Sequence, residues 1–232
     1  MQPTPEVIAH RGLHATGARE NTMAAFELAL AAGAEMIELD VRRSGAGELA
    51  ILHDHALSGV ALDSCSLAEF ERRTGLRPPL LAEVLGWAAG RIALDVELKE
   101  DGYAEAVAQA LVGFIAAGGE LLVTSFIDRL LRRLGELAPG LRLGLLLTLS
   151  ARGGVRRALD AGAQVLLPEM RLVDERLLRE AHEAGLEVIV WDFMASDHAW
   201  LLEDPRVRGV ITDDVPGALE ARGRARRGTL ER

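Results

Sequence analysis

Cysteine, long apolar runs and a basic leader segment are nearly or wholly missing from this sequence. Cys65 is the single cysteine, so an intramolecular disulfide is excluded, and we expect a small core residue there. No apolar stretch reaches the roughly 18 residues of a membrane-spanning helix, and residues 1–7 lack a signal-peptide pattern. These absences predict a cytoplasmic protein without stable membrane insertion.

Positive charge is also in short supply. Lys and Arg number 26 against 35 Asp and Glu, for a formal net charge of -9. Such a balance argues against nucleic acid and anionic membranes as partners, because those surfaces call for excess positive charge. The chain is 49% hydrophobic and 26% charged, as expected of a globular protein. An anionic small molecule would have to be met by cations gathered locally.

The first predicted strand is followed by neither GxGxxG nor GxxxxGK[ST], which argues against a doubly wound nucleotide-binding sheet. Short apolar runs instead alternate with longer stretches of helical period, and eight such units can be counted. This pattern predicts an α/β protein with a single (β/α)₈ TIM barrel. The predicted strands are Glu6–His10, Met36–Val41, Arg91–Leu98, Leu121–Ser125, Leu141–Leu147, Gln164–Leu167, Glu187–Trp191 and Gly209–Thr212.

Glycines mark the ends of several predicted helices, since Gly readily adopts the left-handed conformation that stops a helix. The clearest helices are Asn21–Ala32 before Gly33, Asp101–Ala117 before Gly118 and Val173–Ala184 before Gly185. Residues 42–79 are irregular, with a short extra strand predicted over Glu48–His53 and a short helix over Ser66–Arg73. They predict a short extra hairpin or loop at the barrel mouth after the second strand. We expect one domain over residues 1–221 and a frayed basic tail over residues 222–232.

Charged side chains are concentrated where the first three strands end, which is the face that carries active sites in such barrels. His10 and Arg11 follow the first strand. Glu38 and Asp40 lie in the second strand, and the period of two places both carboxylates on one face. Because that strand is otherwise apolar, unpaired carboxylates there would be costly, which favours a bound cation.

The third strand places Asp95, Glu97 and Lys99 on one face. Glu97 can complete an oxygen-rich site for Mg²⁺ or Ca²⁺, with Mn²⁺ as a further candidate. Lys99 is the only lysine among 25 arginines, which indicates that a compact ammonium group is needed at this position, where it can contact a phosphate oxygen. Asp95 is predicted to support the structure.

A second histidine, His53, is followed by Asp54 and is expected at the same end of the barrel as His10. Hydrolysis of a phosphodiester requires cationic stabilisation of the phosphoryl oxygens and proton transfers to and from alkoxide oxygens. Two histidines near a cation can supply an acid and a base, and the sequence leaves open which is which. His14 belongs to no motif and is predicted to be solvated.

Taken together, five short motifs resemble the signature of the glycerophosphodiester phosphodiesterase family. They are His10-Arg11-Gly12, Glu20-Asn21-Thr22, Glu38-Leu39-Asp40, His53-Asp54 and Glu97-Leu98-Lys99. Softer matches at later strand ends are Ser125-Phe126, Trp191 and Ile211-Thr212-Asp213. The resemblance implies a barrel enzyme that hydrolyses glycerophosphodiesters to sn-glycerol 3-phosphate and an alcohol, through attack of the glycerol 2-hydroxyl on phosphorus.

Carried over by position, the resemblance also implies roles for individual residues. One divalent cation would be bound by Glu38, Asp40 and Glu97. The general base and acid would be His10 and His53, and the phosphate and substrate contacts would be Arg11, Lys99, Glu20, Asn21 and Trp191. The sequence departs from the family at Arg19, where proline is usual, and at Met194, where asparagine is common. These two departures leave the shape of the substrate pocket open. The short loop after His53 predicts few contacts with the alcohol and therefore loose selectivity for it.

Two other functions are compatible with this set of residues. A phospholipase D-like enzyme acting on lysophospholipids would need a broad apolar mouth, for which the candidates are Leu13, Phe126, Trp191 and Phe193. A non-catalytic barrel that binds phosphoglycerol compounds would need neither histidine. The presence of both histidines and all three carboxylates therefore favours catalysis. The preferred alcohol and the oligomeric state stay open.

Overall fold

The computed structural model describes residues 4–14 and 17–230. Eight parallel strands form a ring, and the first strand pairs with both the second and the last, which closes a barrel. The predicted TIM barrel is confirmed. Its strands are β1 (Glu6–Ala9), β2 (Met36–Arg43), β6 (Ala93–Leu98), β7 (Leu121–Ser125), β8 (Leu143–Leu147), β9 (Val165–Pro168), β10 (Glu187–Val190) and β11 (Val207–Thr212).

Helices follow the barrel strands and form the outer layer. The glycines at 33, 118 and 185 have φ of 88°, 85° and 73°, as predicted for left-handed helix ends. The α-helices are α1 (Met23–Ala32), α2 (Leu67–Thr74), α3 (Leu81–Ala88), α4 (Ala104–Ala116), α5 (Asp128–Leu137), α6 (Gly154–Asp160), α7 (Glu175–Glu183), α8 (Ala195–His198) and α9 (Val215–Leu230). Short 3₁₀ turns occupy Leu62–Ser64, Met170–Leu172 and Ala199–Leu202.

Alternation along the strands divides the apolar side chains into two cores. Outward side chains such as Ile37, Leu39 and Val41 pack under the helices in the larger core. Inward side chains fill the lumen in a separate cluster of Ile8, Met36, Leu122, Leu146, Val165, Leu167, Ile189 and Ile211. This cluster seals the barrel below the level at which the polar residues of β2 and β6 begin.

The irregular segment after β2 contains the predicted short strand and short helix, and one further hairpin. β3 (Leu49–Ile51) pairs antiparallel with β2, and β4 (Ala56–Leu57) forms a hairpin with β5 (Val60–Ala61). These elements and α2 enclose a small apolar cluster of their own, against which the partly buried Cys65 packs. The segment forms a small cap beside the mouth, on the side of β2.

The chain after residue 221 does not match its prediction. Helix α9 continues to Leu230, so residues 222–230 have helical backbone where a frayed tail was expected, and residues 231 and 232 lie outside the described residues. Arg222 in this helix donates a hydrogen bond to the Pro5 carbonyl, at 2.9 Å. Within the described part of the chain, no helix has both the length and the apolar character needed to cross a bilayer.

Candidate active site

A cavity of about 220 Å³ opens at the carboxyl ends of the barrel strands. Its floor is the apolar lumen cluster, because Leu146 and Ile211 belong to both. Seven of the predicted site residues line it, which brings together side chains up to 181 positions apart in sequence. They are His10, Arg11, Glu38, His53, Glu97, Lys99 and Trp191.

Three carboxylates form the charged centre of this cavity. Glu38, Asp40 and Glu97 each offer an oxygen within 4.8 Å of the others, and all three are buried. The register of β2 and β6 explains their proximity. Asp40 pairs with Glu97, and Glu38 lies two residues before Asp40 in β2, on the same face of the strand. The sequence prediction that these three side chains converge is confirmed.

Burial raises the pKa of Glu38 well above its usual value, and the negative charges of Asp40 and Glu97 add to the effect. Burial also raises the pKa of Glu97. The pKa of Asp40 is lowered instead, because Lys99 and Arg11 outweigh the burial of its carboxylate. Among the described residues, Glu38 Oε1 is buried without a hydrogen-bond partner. The protein alone therefore does not neutralise this group of carboxylates.

Two cations are held against Asp40 from opposite sides. Lys99 Nζ lies 3.2 Å from Asp40 Oδ1 and 2.6 Å from Glu97 Oε1, while Arg11 Nε lies 3.1 Å from Asp40 Oδ2. Arg11 also donates two hydrogen bonds to Glu20, at 3.0 and 3.1 Å. Lys99 thus pairs with the carboxylates of the site, and not with Glu100 or Asp101 beside it in sequence.

The backbone around Arg11 is tightly built. Arg11 and Asn21 have left-handed φ of 54° and 55°, a conformation that is rare for residues other than glycine and clusters at functional sites. A side chain at Gly12 would place its Cβ 2.7 Å from the Ala25 carbonyl carbon, so only glycine fits between β1 and α1. The Arg11 amide donates to Glu38 at 2.9 Å, which links this turn to the carboxylate group.

Asn21 and Glu20, like the fully buried Asp40, are not among the residues that line the cavity. The amide of Asn21 donates to Asp40 Oδ2 at 2.7 Å and is itself buried. Glu20 contacts Arg11 and borders a separate crevice beside His53. Their contacts are with charged residues of the site, so both fit a framing role better than direct contact with substrate.

Each of the two predicted catalytic histidines has an aspartate on its Nδ1. His10 Nδ1 lies 2.7 Å from Asp213 Oδ1, and His53 Nδ1 lies 2.9 Å from Asp54 Oδ1. Such contacts orient an imidazole and leave Nε2 for proton transfer. His10 Nε2 lies 4.0 Å from Glu38 Oε2, on the cavity side. The pKa of Asp213 falls to about 2 because of its hydrogen bond with His10.

The contacts that Asp213 makes with His10 and with His14 were not predicted from the sequence. Asp213 stood only in a soft motif match, and His14 was expected to be solvated. His14 instead places Nε2 3.2 Å from the Asp213 oxygen that contacts His10. These contacts join positions about 200 residues apart, and the only signal for Asp213 was its place at the end of the last strand.

The wall opposite the carboxylates is aromatic. Phe126 and Trp191 make an edge-to-face pair with ring centroids 5.9 Å apart. The indole N–H of Trp191 donates to the Leu147 and Leu167 carbonyls, both at 3.1 Å. Its hydrogen-bonding capacity is thus used by the barrel, and the ring face is what it presents to the cavity. This wall suits the carbon skeleton of a small polar substrate.

Beneath the carboxylates, Asp95 accepts a hydrogen bond from Thr124 at 2.7 Å. Burial raises the pKa of Asp95 to about 8. Asp95 lines the lower part of the cavity but is not among the three residues whose oxygens converge. This position is consistent with the supporting role predicted for it.

A hard divalent cation fits the donor set of this site. Glu38, Asp40 and Glu97 offer oxygen ligands, as Mg²⁺ and Ca²⁺ prefer. The unpartnered Glu38 Oε1 is the direct observation in favour, because a buried carboxylate oxygen without a partner is costly. Lys99 contacts Asp40 and Glu97, and Arg11 contacts Asp40. Three ionised carboxylates would carry one more charge than these two cations, so the residues present can hold one such ion.

Comparison with known proteins gives a consistent answer. Residues 10–216 match the model of the Glycerophosphoryl diester phosphodiesterase family. A glycerophosphodiester phosphodiesterase of Bacillus altitudinis is 30% identical over 81% of this chain and 94% of its own length. Another, from Caldanaerobacter subterraneus subsp. tengcongensis, is 27% identical over 90% of this chain and 93% of its own.

Solved structures share the barrel. A glycerophosphodiester phosphodiesterase of Parabacteroides distasonis superposes with a TM-score of 0.81 over 99% of this chain and all of its own, at 21% identity, which bears on the fold alone. A phosphodiesterase of Oleispira antarctica, solved with the product sn-glycerol-3-phosphate, has a TM-score of 0.80 and 25% identity, covering 94% of this chain and 96% of its own. The family match spans most of the chain and all five motifs lie within it, so the protein belongs to the glycerophosphoryl diester phosphodiesterase family.

Proposed function

We propose that this protein is a metal-dependent phosphodiesterase that hydrolyses glycerophosphodiesters to sn-glycerol 3-phosphate and an alcohol. The observation that carries the proposal is the convergence, in one cavity, of three buried carboxylates, two cations and two aspartate-held histidines. The family match supports the reaction class. The product bound to the Oleispira antarctica relative supports the phosphoglycerol half of the substrate.

Binding of the phosphate is assigned to Arg11 and Lys99. Both side chains are mostly buried and are held in place by carboxylates, so little side-chain entropy is lost when a substrate binds. One divalent cation, Mg²⁺ or Ca²⁺ with Mn²⁺ as an alternative, would be held by Glu38, Asp40 and Glu97 and would stabilise negative charge on the phosphoryl oxygens. The Trp191 and Phe126 rings would pack against the glycerol carbons.

Proton transfer is assigned to the two histidines. In the first step, His10 Nε2 accepts the proton of the glycerol 2-hydroxyl, whose oxygen forms a bond to phosphorus. The bond from phosphorus to the alcohol oxygen breaks, and His53 Nε2 donates a proton to that oxygen. In the second step, water opens the cyclic phosphodiester with the roles reversed. Asp213 and Asp54 keep each ring oriented through Nδ1.

The mouth favours a small substrate over a lysophospholipid. Of the four apolar residues that could form a lipid-binding surface, Leu13 and Phe193 are buried in the helix-facing core. Phe126 and Trp191 face the cavity as one aromatic pair. Loose selectivity for the alcohol remains a prediction of the short segment after His53.

The first experiment is release of sn-glycerol 3-phosphate from glycerophosphocholine and glycerophosphoethanolamine, with EDTA and then with added Mg²⁺, Mn²⁺ or Ca²⁺. We expect no release with EDTA and restored release with a cation. Lysophosphatidylcholine serves as the competing substrate. Faster turnover of the lysolipid would assign the enzyme to the phospholipase D-like class, and binding of glycerol 3-phosphate without any turnover would make it a binding protein.

The acid role of His53 is tested by His53→Ala with two leaving groups. With glycerophosphocholine, kcat should fall by about 10² to 10⁴, the range expected for loss of a general acid. With the 4-nitrophenyl ester of glycerol 3-phosphate, whose leaving group needs no proton, the loss should be much smaller when release of the alcohol in a single turnover is measured, because that release precedes the step in which His53 is the base. His10→Ala should release neither alcohol. If His53→Ala slows single-turnover release of choline and of 4-nitrophenol equally, the acid role is wrong.

A further inference from the structure

A second group of metal-binding side chains lies on the outer side of the catalytic cavity. His10, His14 and Asp213 each offer a ligand atom, and these atoms lie within 4.8 Å of one another. This group contains two imidazole nitrogens and one carboxylate, whereas the first site is made of carboxylates alone. The two sites therefore differ in chemistry as well as in position.

The geometry of this second group is close to that of a transition-metal site. His10 Nδ1 and His14 Nε2 lie 2.7 and 3.2 Å from the same oxygen, Asp213 Oδ1. Two ligands of a tetrahedral zinc ion lie about 3.4 Å apart when the bonds are about 2.1 Å. The distances from Asp213 Oδ1 to the two imidazole nitrogens would have to increase only slightly for the ion to bind between them.

The group is also open to solvent from its own side. The side chains of His10, His14 and Asp213 are 31%, 25% and 59% exposed. His10 and Asp213 border a separate hollow of about 290 Å³, next to the catalytic cavity. An ion could reach His10 Nδ1 from this hollow without passing the carboxylates, and waters could fill its remaining coordination positions.

We propose that His10, His14 and Asp213 form an inhibitory site for a borderline transition-metal ion such as Zn²⁺, separate from the carboxylate site for the catalytic cation. Nitrogen ligands favour Zn²⁺ over Mg²⁺ and Ca²⁺, which take oxygen ligands. The inhibitory effect rests on the proposed function. An ion bound to Nδ1 takes the place of the proton that faces Asp213, so the neutral imidazole carries its proton on Nε2 and His10 cannot accept the proton of the glycerol 2-hydroxyl.

The test is calorimetry of Zn²⁺ binding in excess Mg²⁺, which occupies the carboxylate site and needs no turnover. The variants are His14→Asn and, as a matched control, His55→Asn. His55 also pairs with an aspartate, Asp63, at 3.1 Å, but it is not part of a three-residue group within the described residues. His14→Asn removes a ligand and should weaken Zn²⁺ binding at least about tenfold. Loss of a residue that only hydrogen-bonds to a metal ligand already lowers metal affinity by that factor. His55→Asn should bind as the wild type does.

The corresponding activity assay adds Zn²⁺ to enzyme saturated with Mg²⁺. His14→Asn should require at least about tenfold more Zn²⁺ than the wild type for half-inhibition, with each protein measured relative to its own turnover without zinc. Equal zinc binding in all three proteins would place the ion on the carboxylates and overturn the proposal, as would absence of binding in the wild type. If the wild type has no phosphodiesterase activity, the proposed function is refuted. The proposed zinc site would still be tested, because calorimetry measures Zn²⁺ binding without turnover.

Discussion

The two halves of the barrel lumen differ sharply in chemistry. The half built from β1, β2 and β6 ends in His10, Glu38, Asp40, Glu97 and Lys99. The half built from β8, β9 and β10 points Leu146, Val165, Leu167 and Ile189 inward at the levels below the mouth. Both halves share one continuous hydrogen-bonded ring of strands. The backbone is nearly uniform, and the difference lies in the side chains.

This asymmetry shows how a small domain can bury several charges. The four apolar lumen side chains of β8, β9 and β10 need no partners beyond close packing, and they contribute stability through burial alone. The charged half depends on pairing, with Lys99 and Arg11 set against Asp40. Removal of one partner there leaves a buried charge uncompensated, which is strongly unfavourable. We therefore expect substitutions in the charged half to lower activity most, and substitutions in the apolar half to lower stability while activity is kept.

The largest loss of activity is expected at the centre of the charged half, for Asp40→Asn. This change removes a predicted cation ligand and the counter-charge of both Lys99 and Arg11. We expect kcat/KM to fall by more than the about 10² to 10³ that loss of one stabilising donor costs. Steady-state kinetics and cation titration provide the measurement. The control is Asp160→Asn, which changes an exposed pair with Arg156. A loss of kcat/KM under about tenfold in Asp40→Asn would contradict its assignment as a cation ligand.

A smaller loss is expected for Asp213→Asn, at the rim of the charged half. The amide would orient His10 less firmly, and kcat should fall by about 10 to 10², below the full contribution of a general base. KM should change little, because Asp213 is assigned no substrate contact. The pKa of Asp213 is about 2, so it stays ionised across the assay range and shifts in the pH profile report on His10. Asp63→Asn, beside His55, is the control, and an unchanged kcat would refute the positioning role.

Asp95→Asn tests the charged half through stability instead of chemistry. Burial raises the pKa of Asp95 from its ordinary 3.8 to about 8. The free energy of unfolding of the metal-free wild type should therefore fall as pH rises from 4 towards 8, because the folded state opposes ionisation. Asparagine can still accept the Thr124 hydrogen bond without a charge. We expect Asp95→Asn to be stabilising, with a gain that is larger at pH 8 than at pH 5 by about 1 to 3 kcal/mol, measured by urea unfolding in EDTA. An equal gain at both pH values would contradict this account.

The smallest effect on activity is expected in the apolar half, for Leu167→Ala. Leu167 packs over Gly144, where an added Cβ would lie 2.5 Å from the leucine Cδ1. Its removal should lower the free energy of unfolding by about 2 to 5 kcal/mol, while kcat/KM stays within about threefold. Urea unfolding and kinetics on the same samples would show this. A large loss of kcat in the folded variant would mean that packing in the apolar half also positions the charged residues.

Local patterns in the sequence were enough to predict the barrel and the charged half. Apolar runs mark the strands, and the period of two places Glu38 and Asp40 on one face, as the structure shows. Lys99 stood out by composition alone. What local patterns do not contain is contact between distant strand ends, and so the partnership of His10 with Asp213 was missed.

The same limit applies outside the strands. The hairpin of β4 and β5 has only two residues on each strand, too few for a recognisable alternation. The family resemblance implied a place for Asn21 in the site, but no local pattern indicated that its amide contacts Asp40. The role of a polar side chain depends on which neighbour the fold brings within about 3 Å, and that neighbour can come from anywhere in the chain.

The contact between Arg222 and the Pro5 carbonyl has a practical consequence. It brings the segment that leads into the first strand beside the helix that follows the last strand, on the face opposite the mouth. A short linker could join these two segments, and new termini could be opened in a loop on the rim to give a circularly permuted enzyme. Immobilisation on a support through either segment would likewise leave the mouth facing solution.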